Sequence, residues 1–237
     1  MKSKVVFAVC ALVVSGMTAI AQLPLLHSHF RTAEVGAWAR YELSGEKSGG
    51  LSSLYIGVVG EETTGGRHHL WYEWTTAGRK DTSTVKMLLP ADSAALEVSR
   101  MIIKQGSAQA YEMPFAGLAL KAVIGQQAGL GIDLNDLASS AERAQRQGVK
   151  VETLEQAMQE IAGRHLETRH LHITQKDGQA VDLWLADEVP FFSLVRLRAR
   201  GLEVNITGWD RTGASSRIGE NYRSLDLKGM FKGLKIK

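Results

Sequence analysis

Short runs rich in Val, Ile, Tyr, Trp and Thr follow one another from Gly36 to Gly106, each closed by glycines or by a Pro-Ala-Asp step. The runs are Trp38 to Leu43, Leu51 to Val59, Arg67 to Thr76, Thr82 to Leu89 and Val98 to Lys104, with breaks at Gly49-Gly50, Gly65-Gly66, Ala77-Gly78 and Pro90-Ala91-Asp92. Runs of that length at that spacing predict an antiparallel meander. Val85, Met87 and Leu89 fall on one face of their strand, and Thr84, Lys86 and Leu88 on the other. The pattern predicts a sheet with one wet face rather than a sandwich buried on both sides.

The middle of the chain changes period. Phe115 to Ile124 is apolar and alanine-rich, and Asp136 to Gln147 is polar and helix-forming. Thr153 and Gln156 stand at capping-box spacing, Leu154, Met158 and Ile161 recur at helical spacing, and Gly163 stands where a helix would stop. Two or three helices are therefore predicted over about 115–162. The apolar run is too short to cross a bilayer, which favours a helix laid on the sheet over a membrane finger.

A second meander follows at His165 to Thr174, Ala180 to Ala186, Ser193 to Arg200 and Leu202 to Trp209, with turns at Lys176-Asp177-Gly178 and Gly201. Val181, Leu183 and Leu185 alternate with Asp182, Trp184 and Ala186. Arg196, Arg198 and Arg200 share one face of the next run, so that face is basic. Neither half alone has much core, and the two are read as one domain over 22–237 with the helical stretch as an insert.

At the N-terminus Lys2 and Lys4 precede an apolar run from Val5 to about Ile20, and Ala19-Ile20-Ala21 offers a small-residue cleavage site before Gln22. This reads as a secretory signal over 1–21, and a periplasmic or secreted location is expected. Its removal changes the charge balance. It holds two of the 28 basic residues, none of the 25 acidic ones and the single cysteine, Cys10, so a net charge of only +1 remains and no thiol. A nucleic-acid partner is not expected from such a balance. What basic excess remains is local, at Lys228, Lys232, Lys235 and Lys237, where peripheral contact with an anionic membrane is the alternative to a solvated tail. With 44% hydrophobic and 22% charged residues, disordered, collagen-like and disulfide-scaffold classes are excluded.

Chemistry-bearing motifs are few. Two residues apart on a strand share a face, so His170 and His172 could offer two imidazoles to one metal ion. A third ligand is missing at short range, and two solvated histidines on a wet face are the simpler alternative, so neither a metal nor a cofactor is expected. His27 and His29 form a similar pair near the mature start. No G-x-S-x-G or phosphate-loop pattern is present, and Ser215-Ser216 falls in a turn. Five aromatics remain, Trp71, Trp74, Trp184, Phe191 and Phe192, which line a ligand cavity or simply fill the core.

The stretch Gly163 to His170, then Val181-Asp182-Leu183-Trp184-Leu185-Ala186-Asp187-Glu188-Val189-Pro190-Phe191, followed by Leu194-Val195-Arg196 and Leu202 to Ile206, resembles secreted LolA-like proteins, relatives of the periplasmic lipoprotein carriers. About fifty residues carry the resemblance. It implies a strongly curved antiparallel half-barrel plugged by helices on its concave face, with an apolar cavity for acyl chains. No lipid-handling residue transfers position by position.

The resulting expectation is an α+β protein, a curved antiparallel sheet with two or three helices packed on its concave face, non-enzymatic. Its partner would be a lipid or a lipoprotein acyl chain. An envelope protein docked on the arginine face is the first alternative, and a secreted metal-dependent enzyme the second.

Overall fold

The computed structural model describes residues 33–48, 50–78, 81–92, 98–113, 150–174 and 178–224. The stretch read as a secretory signal, His27 and His29, the predicted helices of 115–149, the turn at Lys176-Asp177 and the lysine-rich tail lie outside these residues.

The first meander comprises β1 (Trp38–Ser44), β2 (Leu51–Thr64), β3 (Arg67–Gly78), β4 (Thr82–Pro90), β5 (Arg100–Gln105) and β6 (Ala110–Glu112). The second comprises β7 (Lys150–Ile161), β8 (Arg164–Thr174), β9 (Ala180–Leu185), β10 (Leu194–Ala199) and β11 (Leu202–Asp210), and a short β12 (Tyr222–Ser224) ends the description. All twelve belong to one sheet in the order β12-β6-β5-β4-β3-β2-β1-β11-β10-β9-β8-β7. Every neighbouring pair is antiparallel except β12 with β6, which is parallel. The halves meet at β1 and β11, where Trp38 faces Asp210 and Ser44 faces Glu203.

Nine strands lie where alternation and glycine turns placed them. The β2–β3 turn is Gly65-Gly66 with φ of 59° and 77°, both positive as a two-residue hairpin of this twist requires.

The α+β expectation is corrected by the stretch at 150–161. It is a strand, and among the described residues the only helical turn is a 3-10 segment at Glu46–Ser48. The sequence Leu154, Met158, Ile161 mimics a helical stripe because a bulge at Leu154 interrupts the period of two. Gly163, read as a helix stop, is the second residue of a hairpin turn with Ala162, at φ of 76° and 50°. Pairing of eleven residues against β8 overrides the helix propensity of Leu, Glu, Gln and Met.

The sheet is open and strongly curved. Laid flat, the four steps from β3 to β10 would span about 19 Å. Yet Tyr72 of β3 meets Phe191, just ahead of β10, edge to face with ring centroids 6.4 Å apart. The face that closes in this way is the concave one. It carries the main core, in which Tyr41, Ile56, Met87, Leu183 and Phe191 are essentially inaccessible. A second, smaller cluster on the convex face joins Trp71, Leu88, Ile102 and Ala110 to Ile218. Ile218 belongs to a strap, residues 211–221, that crosses the back of the sheet between β11 and β12.

Candidate functional site

The five predicted aromatics do not share one cavity. Alternation along β3 sends Tyr72 and Trp74 to the concave core and Trp71 to the convex cluster. Phe191 and Phe192 join the concave core from the β9–β10 loop, where Phe191 and Ser193 adopt left-handed backbone with φ of 72° and 53°. Trp71 lies between two cations, Lys86 at 5.1 Å and Arg100 at 5.2 Å from its ring. Arg100 also donates to Glu112 at 2.7 Å, to Glu62 at 3.3 Å and to the Tyr222 hydroxyl at 2.7 Å, tying four strands together.

At the mouth of the curved sheet a cavity of about 380 Å³ opens beside the β9–β10 loop. Glu34, Asp187, Glu188 and Arg211 line it together with Val189 and Phe191. Asp187 accepts from Arg169 at 3.0 Å. The lining is mixed, since Ala33, Ala37, Val189, Pro190 and Phe191 stand beside the four charged residues, and it favours neither a polar group nor an acyl chain.

Trp184 stands in a polar row that crosses β8 to β11. It stacks on His170, centroids 4.1 Å apart and 14° from parallel, and Arg196 lies 5.2 Å over its ring. His170 Nε2 and His172 Nδ1 both donate to one oxygen of Asp182, at 3.0 and 2.8 Å. An ionised carboxylate can only accept, so each of these nitrogens carries the proton. Two steps further, Arg196 donates through Nε to Glu203 at 3.0 Å and again through Nη2, and Arg198 reaches the same carboxylate at 3.6 Å. Glu203 thus offsets part of the basic face read from the sequence, one carboxylate against Arg196 and Arg198. The histidine pair was visible in the sequence, but Asp182 was not singled out. Its strand register, His172 opposite Asp182 and His170 opposite Trp184, is what brings it between them. Among the described residues no group of three or more His, Cys, Asp or Glu is arranged to hold a metal ion.

Burial pushes the Asp182 carboxyl up, but the hydrogen bonds and charge of His172 and His170 outweigh it, and the group lies below the ordinary carboxylate range. A carboxyl depressed by folding stabilises above its unfolded pKa of about 4, and the contribution is lost as pH falls through the folded value. Asp182→Asn is therefore expected to lower Tm by about 2–4 °C at pH 7. The gap to the unsubstituted protein should narrow as pH is lowered and close once the melts are taken below the depressed Asp182 value. A gap that persists undiminished there would assign the loss to packing.

A third cluster lies under the strap. Glu73, at the centre of β3 and fully buried, accepts from Ser216 Oγ at 2.6 Å, Arg217 N at 2.7 Å and Ile218 N at 3.4 Å. Lys86 Nζ donates to the same Ser216 hydroxyl at 3.3 Å, and burial lowers the affinity of this amine for its proton. Ser216 already donates to Glu73 and lies 2.6 Å from the Ile218 carbonyl. The hydroxyl is thus engaged in fixing the strap. Sequence reading placed Ser216 in a turn and did not single out Glu73, whose position between Tyr72 and Trp74 is the only cue: an acid in an aromatic strand.

No protein-family model and no curated protein sequence matches the chain. Among solved structures, MucB in complex with MucA(peri) overlaps at a TM-score of 0.42 and 10% identity, over 90% of this chain and 62% of that one. The MucA/MucB complex of Pseudomonas aeruginosa gives 0.32 at 12% identity, over 85% and 58%. A protein with a YmcC-like fold from Bacteroides fragilis gives 0.32 at 6%, over 75% and 97%. The chain spans less than two thirds of the MucB chains it overlaps. Similarity this shallow assigns no residue a role.

Proposed function

We propose that this protein is an exported, non-enzymatic module that holds another envelope protein on the surface of its curved sheet. The observation that carries this reading is the β7–β8 hairpin at the end of the sheet. There Leu154 and Met158 are 56% and 64% exposed, among the few large apolar side chains facing solvent in the described residues. Three of the five large apolar side chains exposed among the described residues, Val151, Leu154 and Met158, fall on this one strand, and apolar surface gathered in one place is a mark of a protein contact. The basic leader followed by an apolar run supports export. The groups with chemical potential are engaged with one another: both imidazoles on Asp182, and Ser216 on Glu73.

A second reading, uptake of an acyl chain, draws on the apolar concave face. That face is filled by the protein's own side chains where it is described, and the cavity at its mouth has walls that are part apolar and part charged. Native mass spectrometry of the protein gently purified from its own host separates the two. A bound polypeptide is expected. A bound acyl species without a polypeptide would replace the proposal with the second reading, and a bare protein would overturn both.

A further inference from the structure

The sheet ends at β7 among the described residues. An edge strand offers its main-chain N–H and C=O groups to any strand laid beside it, and proteins usually blunt such edges with proline, short length or strong bulging. Strand β7 runs for twelve residues without proline and with one bulge, at Leu154.

Its register with β8 sorts the side chains. Glu152 and Glu155 lie opposite His172 and His170, on the face of the polar row. Val151 and Thr153 lie opposite Ile173 and Leu171 on the other face, and beyond the bulge Met158 shares that face, opposite Glu167. Val151 is 37% exposed in addition to Met158. A strand added outside β7 would set one set of alternate residues beside Val151 and Met158, and the other set beside Glu152 and Glu155. The strand holds three glutamates, Glu152, Glu155 and Glu160, against one cation, Lys150, which already bridges to Glu152 at 2.6 Å. Two copies of β7 would bring three glutamates against three, with one lysine on each side to offset them. Like charges across a ladder are unfavourable, and a second copy is a poor occupant.

We propose that β7 is a receptor edge for an extended segment of a partner protein in which apolar and basic residues alternate. The inference rests on the binding-module reading and names the partner's chemistry. Main-chain hydrogen bonds would supply the sequence-independent part of the affinity, and the two faces of β7 the selectivity.

The test uses the full chain and three blocked peptides of about ten residues: Val alternating with Lys, Val alternating with Glu, and the Val/Lys residues in non-alternating order. The expected result is that the alternating Val/Lys peptide slows hydrogen exchange of the β7 amides, while the other two bind about ten-fold more weakly or worse. Glu152→Lys with Glu155→Lys should invert the preference between Lys and Glu peptides and leave Tm nearly unchanged, since both side chains are solvated. Unchanged exchange in β7 with every peptide, or equal slowing by all three, would overturn the proposal. So would a double variant that kept its preference for Lys. If native mass spectrometry still finds a bound polypeptide in any of these cases, the binding-module reading stands and only the edge assignment falls.

Discussion

Glu73→Ala is expected to be the most damaging single substitution on the convex side, lowering stability by roughly 3 kcal/mol or more. The carboxylate is inaccessible and accepts from two backbone N–H groups and one hydroxyl of the strap. Removing the acceptor leaves those donors buried with nothing to replace water. For a domain of this size the loss corresponds to a Tm lower by about 6–12 °C. Glu73→Gln keeps one acceptor oxygen but turns an amide toward N–H donors, and should fall between the two. A second readout is local. Arg211 and Arg217 lie on the strap, and trypsin should cut after them faster in the Ala variant under native conditions. Melting within a degree of the parent, with unchanged cleavage, would mean that the strap is held by Ile218 packing and not by Glu73.

The second large effect is expected at Gly45, where the chain leaves β1. Its φ is 99°, and a Cβ built there would stand 2.5 Å from the Gly201 carbonyl oxygen in the β10–β11 turn. Gly45→Ala therefore combines left-handed strain of about 1–2 kcal/mol with a clash against backbone that cannot rotate away, for a total on the order of 3 kcal/mol. Gly66→Ala supplies the comparison. Its φ is 77°, but nothing lies within 4 Å of the added carbon, so only the strain should appear. Denaturant midpoints for the two variants separate the contributions. Equal losses would show that the Gly45–Gly201 approach relaxes easily.

The sequence was most legible where alternation and turn chemistry agreed. Val85, Met87 and Leu89 face the concave core and Leu88 the convex cluster, as a period of two requires. It failed at 150–161, where one bulged residue converted a strand pattern into a helical one. The short β6 and β12 escaped notice because three residues are too few to show a period, and their pairing depends on a parallel contact between distant segments. The candidate site was half visible for the same reason. His170 and His172 are two apart and announce themselves, whereas Asp182 and Glu73 acquire meaning only from register with other strands. The aromatics were visible as residues but not as a group, because adjacent positions on β3 point to opposite sides of the sheet.

The junction of β1 with β11 carries a kinetic consequence. There the Thr207 hydroxyl donates to the Arg40 carbonyl across 167 positions of sequence. Most other pairings in the sheet are between consecutive strands and can zip up as local hairpins within each half. This seam must wait for two distant segments to meet, and such long-range closures set the pace in β proteins. Docking of the two hairpin stacks along the β1–β11 ladder is therefore the expected slow step of folding, with the short β6–β12 pair as the other long-range closure.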